Sequence, residues 1–152
     1  REIVTDSVRK LEVHFQNKNQ RLNMQISDEA VPIYADRGKI QQVIINLLTN
    51  AIKYTPENGN IRISAQVVDK NAIFEVQDSG IGIPKEDIKR IFERFYRVDK
   101  GRSRAQGGTG LGLSIAHNII KQHKGSIKVS SELEKGSIFT VYFPVDNSVD
   151  IL

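Results

Sequence analysis

Between Arg37 and Tyr54 the apolar residues Val43, Ile44, Leu47, Leu48, Ala51 and Ile52 recur at helical spacing, and such a stripe must be buried against another layer. The layer follows directly in the sequence. Ile61 to Val68 and Ala72 to Gln77 alternate in polarity around a turn near Asp69-Lys70-Asn71, the pattern of paired strands with one face packed and one face wet.

The rest of the chain extends the same two layers. Arg1 to Asn17 carries Ile3, Val4, Val8, Leu11 and Phe15 as an amphipathic entry helix, and Arg21 to Ile26 and Val31 to Ala35 read as short strands. Asp36 is positioned to cap the helix from Arg37, and Pro56 helps to end it. A further helix is predicted after Ile83, with Pro84 in its first position, Glu86 and Asp87 in its first turn, and Phe92 and Phe95 closing it onto the core. Gly110 to His123 reads as a helix through Leu111, Ile115, Ala116, Ile119 and Ile120, with Gly125 as its C-cap. Ser126 to Ser131 and Ser137 to Phe143 are strands joined by a turn at Glu134-Lys135-Gly136. The fold class is therefore α+β, a two-layer α/β sandwich with a mixed sheet of about five strands on three main helices.

With 152 residues, 39% of them hydrophobic, the chain is long enough for one domain with a core and too short for a second full domain. The absence of cysteine excludes a disulfide framework and a thiolate metal site. No apolar run approaches the 18 or so residues of a spanning helix, so no membrane contact is expected of this chain. The formal net charge of +4 permits nucleic-acid binding, but much of it is concentrated in Arg94, Arg97, Lys100, Arg102 and Arg104. That stretch is either a solvated loop or a mobile lid over phosphates. Aromatic interleaving is thin, with Tyr96 at the start of the loop, a poor basis for nucleic-acid stacking.

Immediately after it, Gly107-Gly108-Thr109-Gly110-Leu111-Gly112-Leu113 removes side chains from a loop that opens a helix. Such a segment is an anion seat or a plain hinge. On the helix from Arg37, Asn46, Asn50 and Lys53 fall within an arc of about 60°, with Tyr54 at its edge, beside the apolar stripe. They form an ordinary polar face or a ligand rim, and an amide oxygen is a suitable hard ligand for Mg2+. Asp78 shares the inward parity of Phe74 and Val76, so its carboxylate needs a donor from the protein or from a ligand. A strand-end turn would use Asp78-Ser79-Gly80 in one way. The exocyclic amine of adenine would use it in another, whereas the carbonyl of guanine would be repelled.

Four segments, Asn46 to Tyr54, Asp78 to Ile83, Phe92 to Asp99 and Gly107 to Leu113, closely resemble in order and spacing the catalytic ATP-binding domain of bacterial sensor histidine kinases, the Bergerat fold. The wording near the lid resembles kinases of the PhoR and WalK type. The resemblance implies a catalytic domain over 1–147, with an entry helix at 1–17, an ATP lid at 96–109 and a tail at 148–152. It implies ATP and Mg2+ as cofactors, the metal held by Asn50 with Asn46 assisting. Lys53 would contact phosphate, Tyr54 would pack on the nucleotide, Asp78 would accept from the adenine amine, and Gly80 and Gly82 would shape the base pocket. Arg97, with Arg94, would reach the terminal phosphates, while Gly108, Thr109, Gly110, Leu111 and Gly112 would form the hinge and phosphate seat. Asn46 and Arg97 are the candidate catalytic residues, and Gly136 matches a late glycine turn.

The family's phosphoacceptor motif is absent, since His14, His117 and His123 precede Phe15, Asn118 and Lys124. The resemblance thus implies a partner hairpin bearing the histidine, a downstream response regulator, and no nucleic acid. It further implies a monomeric fragment of a homodimeric parent, working in the cytoplasm with that parent anchored in the cell membrane. Related ATPases carry a glutamate four residues before the metal asparagine to activate water. An amide at Asn46 cannot take that proton, which favours phosphotransfer over hydrolysis.

Overall fold

A computed structural model of the chain describes residues 1–27, 33–97 and 111–145. Among these, three helices, α1 (Glu2–Asn17), α2 (Arg37–Tyr54) and α3 (Gly112–Gln122), accompany five strands. The strands are β1 (Arg21–Ile26), β2 (Asn60–Val68), β3 (Asn71–Asp78), β4 (Ser126–Glu132) and β5 (Gly136–Pro144). They form one sheet in the order β1-β2-β3-β5-β4. Only β1 and β2 run parallel; the other pairs are antiparallel.

The alternation seen in the sequence sorts the two faces of this sheet. Ile61, Ile63, Phe74, Val76, Phe139 and Val141 point to one side and are buried, where they meet Val43, Leu47 and Leu48 of α2, Leu11 and Phe15 of α1, and Ala116 and Ile120 of α3 in one cluster. Leu48, Ile63, Ile120 and Val141 have no exposed surface, and burying each such side chain is worth roughly 1.5–3 kcal/mol. The opposite face is polar, with Arg62 bonded to Gln25 and Thr140 to Glu75. As predicted, Asp36 caps α2, its carboxylate accepting from the Lys39 N–H at 3.0 Å. Arg37 then ties α2 to α1 through Glu2 and Asp6.

Three expectations are corrected. The strand predicted over Val31 to Ala35 is not formed where it can be seen. Ile33 and Ala35 are half-buried against the core and Tyr34 is 90% exposed, so the alternation is real, but it reflects packing beneath the helices rather than a ladder. Val31 itself lies outside the described residues.

The helix predicted after Ile83 is instead a run of four-residue turns, each closed by a bond three positions back. Asp87, Arg90, Glu93 and Tyr96 donate to the carbonyls of Pro84, Asp87, Arg90 and Glu93. Ile91 alone is fully buried in this stretch and Phe92 partly so, too little apolar surface to hold an amphipathic α-helix in place. Phe95 does not close onto the core; it is 65% exposed at φ +63°.

Finally, α3 begins at Gly112, and its left-handed terminal residue is Lys124 rather than Gly125. Gly125 is needed for space, since a Cβ there would run into the Tyr142 carbonyl oxygen.

Candidate active site

The end of β3, the last turns of α2 and the start of α3 converge on one cavity. Its walls include Asn50, Tyr54, Asp78, Gly82, Arg97, Leu113 and Ser137. Asp78 is its floor. The residue is only 5% exposed, because the register places it opposite Ile61 of β2 on one side and Ser137 of β5 on the other. Burial pushes its carboxyl above the ordinary carboxylate range, and the backbone N–H groups of Gly80 and Ser137, donating to it, pull part of the way back. The Gly80 N–H lies 2.9 Å from Asp78 Oδ1. An acceptor held in place by two fixed donors, inside a protein wall, is suited to reading an amine on a ligand.

The segment after Asp78 is fixed to α2. The Ile81 N–H donates to the Tyr54 carbonyl at 3.2 Å, and a Cβ on Gly80 would come within 2.5 Å of that same oxygen. Gly82 has φ +74° and passes so close to the Glu132 carbonyl that no side chain fits. The two glycines therefore let the chain turn tightly between α2 and the β4–β5 turn, which leaves a flat slot over Asp78.

Of the residues singled out from the sequence, Asn50, Tyr54, Asp78, Gly82 and Arg97 line this slot, with Gly80 directly behind it. Asn46 sits one turn back on α2 and bonds through its amide nitrogen to the Gly112 carbonyl at 3.0 Å. Lys53 faces the neighbouring cleft between α1 and α2, its ammonium 5.1 Å from the centre of the Tyr54 ring. Arg94 is exposed and stacks over Phe95 at 5.7 Å, away from the slot. Leu111 precedes α3 and contributes no side-chain cap to its first turn. Gly108, Thr109 and Gly110 lie outside the described residues, as does most of the predicted lid at 96–109.

The slot has a volume of about 70 Å³, well below the roughly 300–1,000 Å³ usual for a ligand pocket. Tyr96 and Arg97, the last described residues before position 98, stand on its rim. Tyr96 donates to Asp87 and lies under the Arg90 guanidinium at 4.4 Å.

Ser137 and Leu113 were missed in the sequence. Ser137 is 6% exposed and pairs through its hydroxyl with Ser131 at 2.8 Å, while the Ser131 hydroxyl accepts from the Ile83 N–H at 2.7 Å. The signal was available, since Ser137 shares the inward parity of Phe139 and Val141 as Asp78 shares that of Val76.

Residues 35–147 match the family described as histidine kinase-, DNA gyrase B-, and HSP90-like ATPase. The chain is 50% identical over 105 residues to the signal transduction histidine-protein kinase ArlS of Staphylococcus aureus strain USA300, a match covering 69% of this chain and 23% of ArlS. It thus spans about a quarter of that relative's length. Among solved structures, the nucleotide-free catalytic domain of histidine kinase ThkA has a TM-score of 0.82 and 32% identity, covering 95% of this chain and 91% of that one. ThkA in complex with the response regulator protein TrrA has a TM-score of 0.79 and 30% identity, covering 98% and 41%. The chain belongs to the histidine kinase-, DNA gyrase B- and HSP90-like ATPase family, as a catalytic ATP-binding domain of the sensor histidine kinase type.

Proposed function

We propose that this member of the family binds ATP with its adenine over Asp78 and transfers the γ-phosphoryl group to a histidine on a dimerisation hairpin that is not part of this sequence. The observation that carries the reading is the buried Asp78 carboxylate, oriented by the N–H groups of Gly80 and Ser137 at the floor of a slot walled by Asn50, Tyr54 and Gly82. Asp78 accepts from the adenine amine, Ser137 offers a hydroxyl beside it, and Tyr54 packs against the nucleotide. Gly80 and Gly82 keep the base close to the backbone. Because the slot is narrow as seen, entry of the base requires Tyr96 and Arg97 to swing outward, which carries Arg97, with Arg94, toward the phosphates.

The donor set fits Mg2+. Among the described residues no group of three His, Asp or Glu side chains is assembled, whereas the amide oxygen of Asn50 is a hard neutral ligand, and phosphate oxygens and water complete the small octahedral shell this ion prefers. Asn50 would hold the ion, with Asn46 assisting through its remaining amide oxygen. When bound, Mg2+ neutralises charge on the β- and γ-phosphates. Lys53 adds a cation from the last turn of α2, and Leu111 and Gly112 open α3 toward the anion, with Gly108, Thr109 and Gly110 before them.

In the transfer a P–N bond forms at the imidazole, the bond from the γ-phosphorus to the β-phosphate bridging oxygen breaks, ADP leaves, and the imidazole gives up its N–H proton. No group in this chain is assigned that proton. The chain supplies positioning and charge stabilisation, which dominate phosphoryl transfer. The catalytic domain is taken as residues 1–147, with the entry helix at 1–17 and the lid at 96–109, acting as a monomeric part of a dimeric kinase. A response regulator downstream is supported by the ThkA–TrrA assembly. Among the described residues no helix is long and apolar enough to cross a membrane, so an anchor in the cell membrane would belong to the parent protein.

The decisive test mixes this chain with a separate protein bearing the histidine hairpin and with γ-labelled ATP. Acid-labile, base-stable phosphate on histidine is expected, dependent on Mg2+. Normal ATP binding with no transfer to any cognate hairpin would instead make the domain a nucleotide-binding regulatory module.

A further inference from the structure

The ligand-bearing end of α2 is held by a residue that none of the sequence motifs contains. Lys18, in the turn between α1 and β1, extends its ammonium to the carbonyl oxygens of Ile52, Lys53 and Thr55 at 2.8, 3.2 and 3.0 Å. Gln20 supports it, its amide nitrogen donating to Ile52 and Thr55 at 3.0 and 2.8 Å. The main chain is pinned as well, since the Asn58 N–H donates to the Lys18 carbonyl at 3.0 Å. Thr55 leaves the helix in an extended conformation, so these carbonyls have no following turn to satisfy them.

The electrostatic consequence reaches the site. The C-terminal carbonyls of a helix carry its negative partial charge, and here that end of α2 bears Lys53 and Tyr54, one turn beyond Asn50. A polyphosphate placed beside it meets an unfavourable field unless a cation covers the carbonyls. Lys18 is half-buried and supplies that cation to the carbonyls directly; the Lys53 ammonium lies instead beside the Tyr54 ring, 5.1 Å from its centre.

We infer that Lys18 is a positioning and charge-compensating residue of the nucleotide site, setting the affinity of the chain for the phosphate portion of its ligand rather than for the base. This rests on the ATP reading above. A purely structural cap would affect all ligands alike, whereas charge compensation scales with ligand charge.

The test is calorimetry of adenosine, ADP and ATP, with Mg2+, on the wild-type chain and on Lys18→Met and Lys18→Arg. Methionine keeps the side-chain stem and leaves Gln20 bonded to Ile52 and Thr55, so the fold is retained, as circular dichroism checks. Adenosine affinity is expected to stay within about twofold, ADP to weaken slightly and ATP to weaken about three- to tenfold. Lys18→Arg is expected to restore most of the ATP affinity. Equal losses for adenosine and ATP, or unchanged ATP affinity in Lys18→Met, overturn the assignment while leaving the nucleotide reading in place. A wild-type chain that bound neither adenosine nor ATP would bring down both.

Discussion

The side-chain amide of Asn46 donates to the carbonyl oxygen of Gly112 at 3.0 Å, joining the middle of α2 to the first residue of α3. With one amide N–H committed to Gly112, the oxygen is left to turn toward a metal and the second N–H toward phosphate. Asn46 therefore fixes where α3 begins relative to Asn50. Replacing it with alanine removes one hydrogen bond at a half-buried position, a loss of about 0.5–1.5 kcal/mol. Asn46→Asp is worse, because a carboxylate would face a carbonyl with no proton between them. The expected order of melting temperatures is wild type, then Asn46→Ala, then Asn46→Asp, and histidine phosphotransfer should fall in the same order. Aspartate more stable than alanine would show that the bond to Gly112 is dispensable.

Asp78 sets stability against function. Its folded-state pKa is raised, chiefly by burial, so the folded domain holds that proton more tightly than the unfolded chain. The charged form is then a liability, and its cost grows as pH rises through the folded pKa. Asp78→Asn is expected to leave the ligand-free domain at least as stable at neutral pH, while weakening ATP binding tenfold or more, since an amide cannot satisfy both backbone N–H groups and the adenine amine. Thermal melts and calorimetry on the same sample check the pair of outcomes. A variant of lower stability and undiminished ATP affinity would reverse the assignment.

Gly136 tests how the floor of the slot is held. Its φ is +117°, and a Cβ there would collide with the Asp78 carbonyl oxygen, so β5 can approach β3 at this register only without a side chain. Gly136→Ala is expected to cost about 1–3 kcal/mol and to weaken ATP binding beyond that loss. Chemical denaturation separates the two effects, since affinity measured far below the unfolding midpoint is not diluted by unfolded chain. Unchanged affinity in the folded variant would show that Asp78 keeps its position without the β5 contact.

How far the sequence alone determined this picture varies with the kind of signal. Parity placed Asp78 on the inward face because a strand alternates strictly, and the same rule would have found Ser137. The stripe of α2 and the Asp36 cap follow from local chemistry that tertiary structure had no cause to override. Residues 84–96 did not follow, because proline and acidic residues announce a helix start without ensuring an apolar face large enough to hold one. Lys18 and Gln20 were invisible for a different reason. Their partners are main-chain carbonyls more than thirty positions away, and a carbonyl leaves no mark on the sequence. The roles of the basic stretch and the glycine run rest on residues 98–110, outside those described.

His117 joins the two flanks of that stretch. Its ring stacks on Phe92 with centroids 5.0 Å apart and planes 19° from parallel, so a residue before position 98 rests on the helix that follows position 110. Burial lowers its pKa from the ordinary 6.5, and Lys121 one turn on adds repulsion in the same direction. A histidine depressed in the folded state binds its proton more readily when unfolded. Its contribution to stability is therefore complete above 6.5 and is lost as pH falls through that value toward the folded pKa. Asp78 acts in the opposite sense, gaining stability on acidification. The difference between wild type and His117→Phe isolates the histidine's contribution, because phenylalanine keeps the ring against Phe92 and removes the titration. Denaturant midpoints measured from about pH 8 to about pH 5.5 should converge or cross as pH falls, wild type losing more than the variant. Parallel profiles across that range would mean that His117 meets the same environment folded and unfolded, and that its stacking on Phe92 does not keep water from the ring.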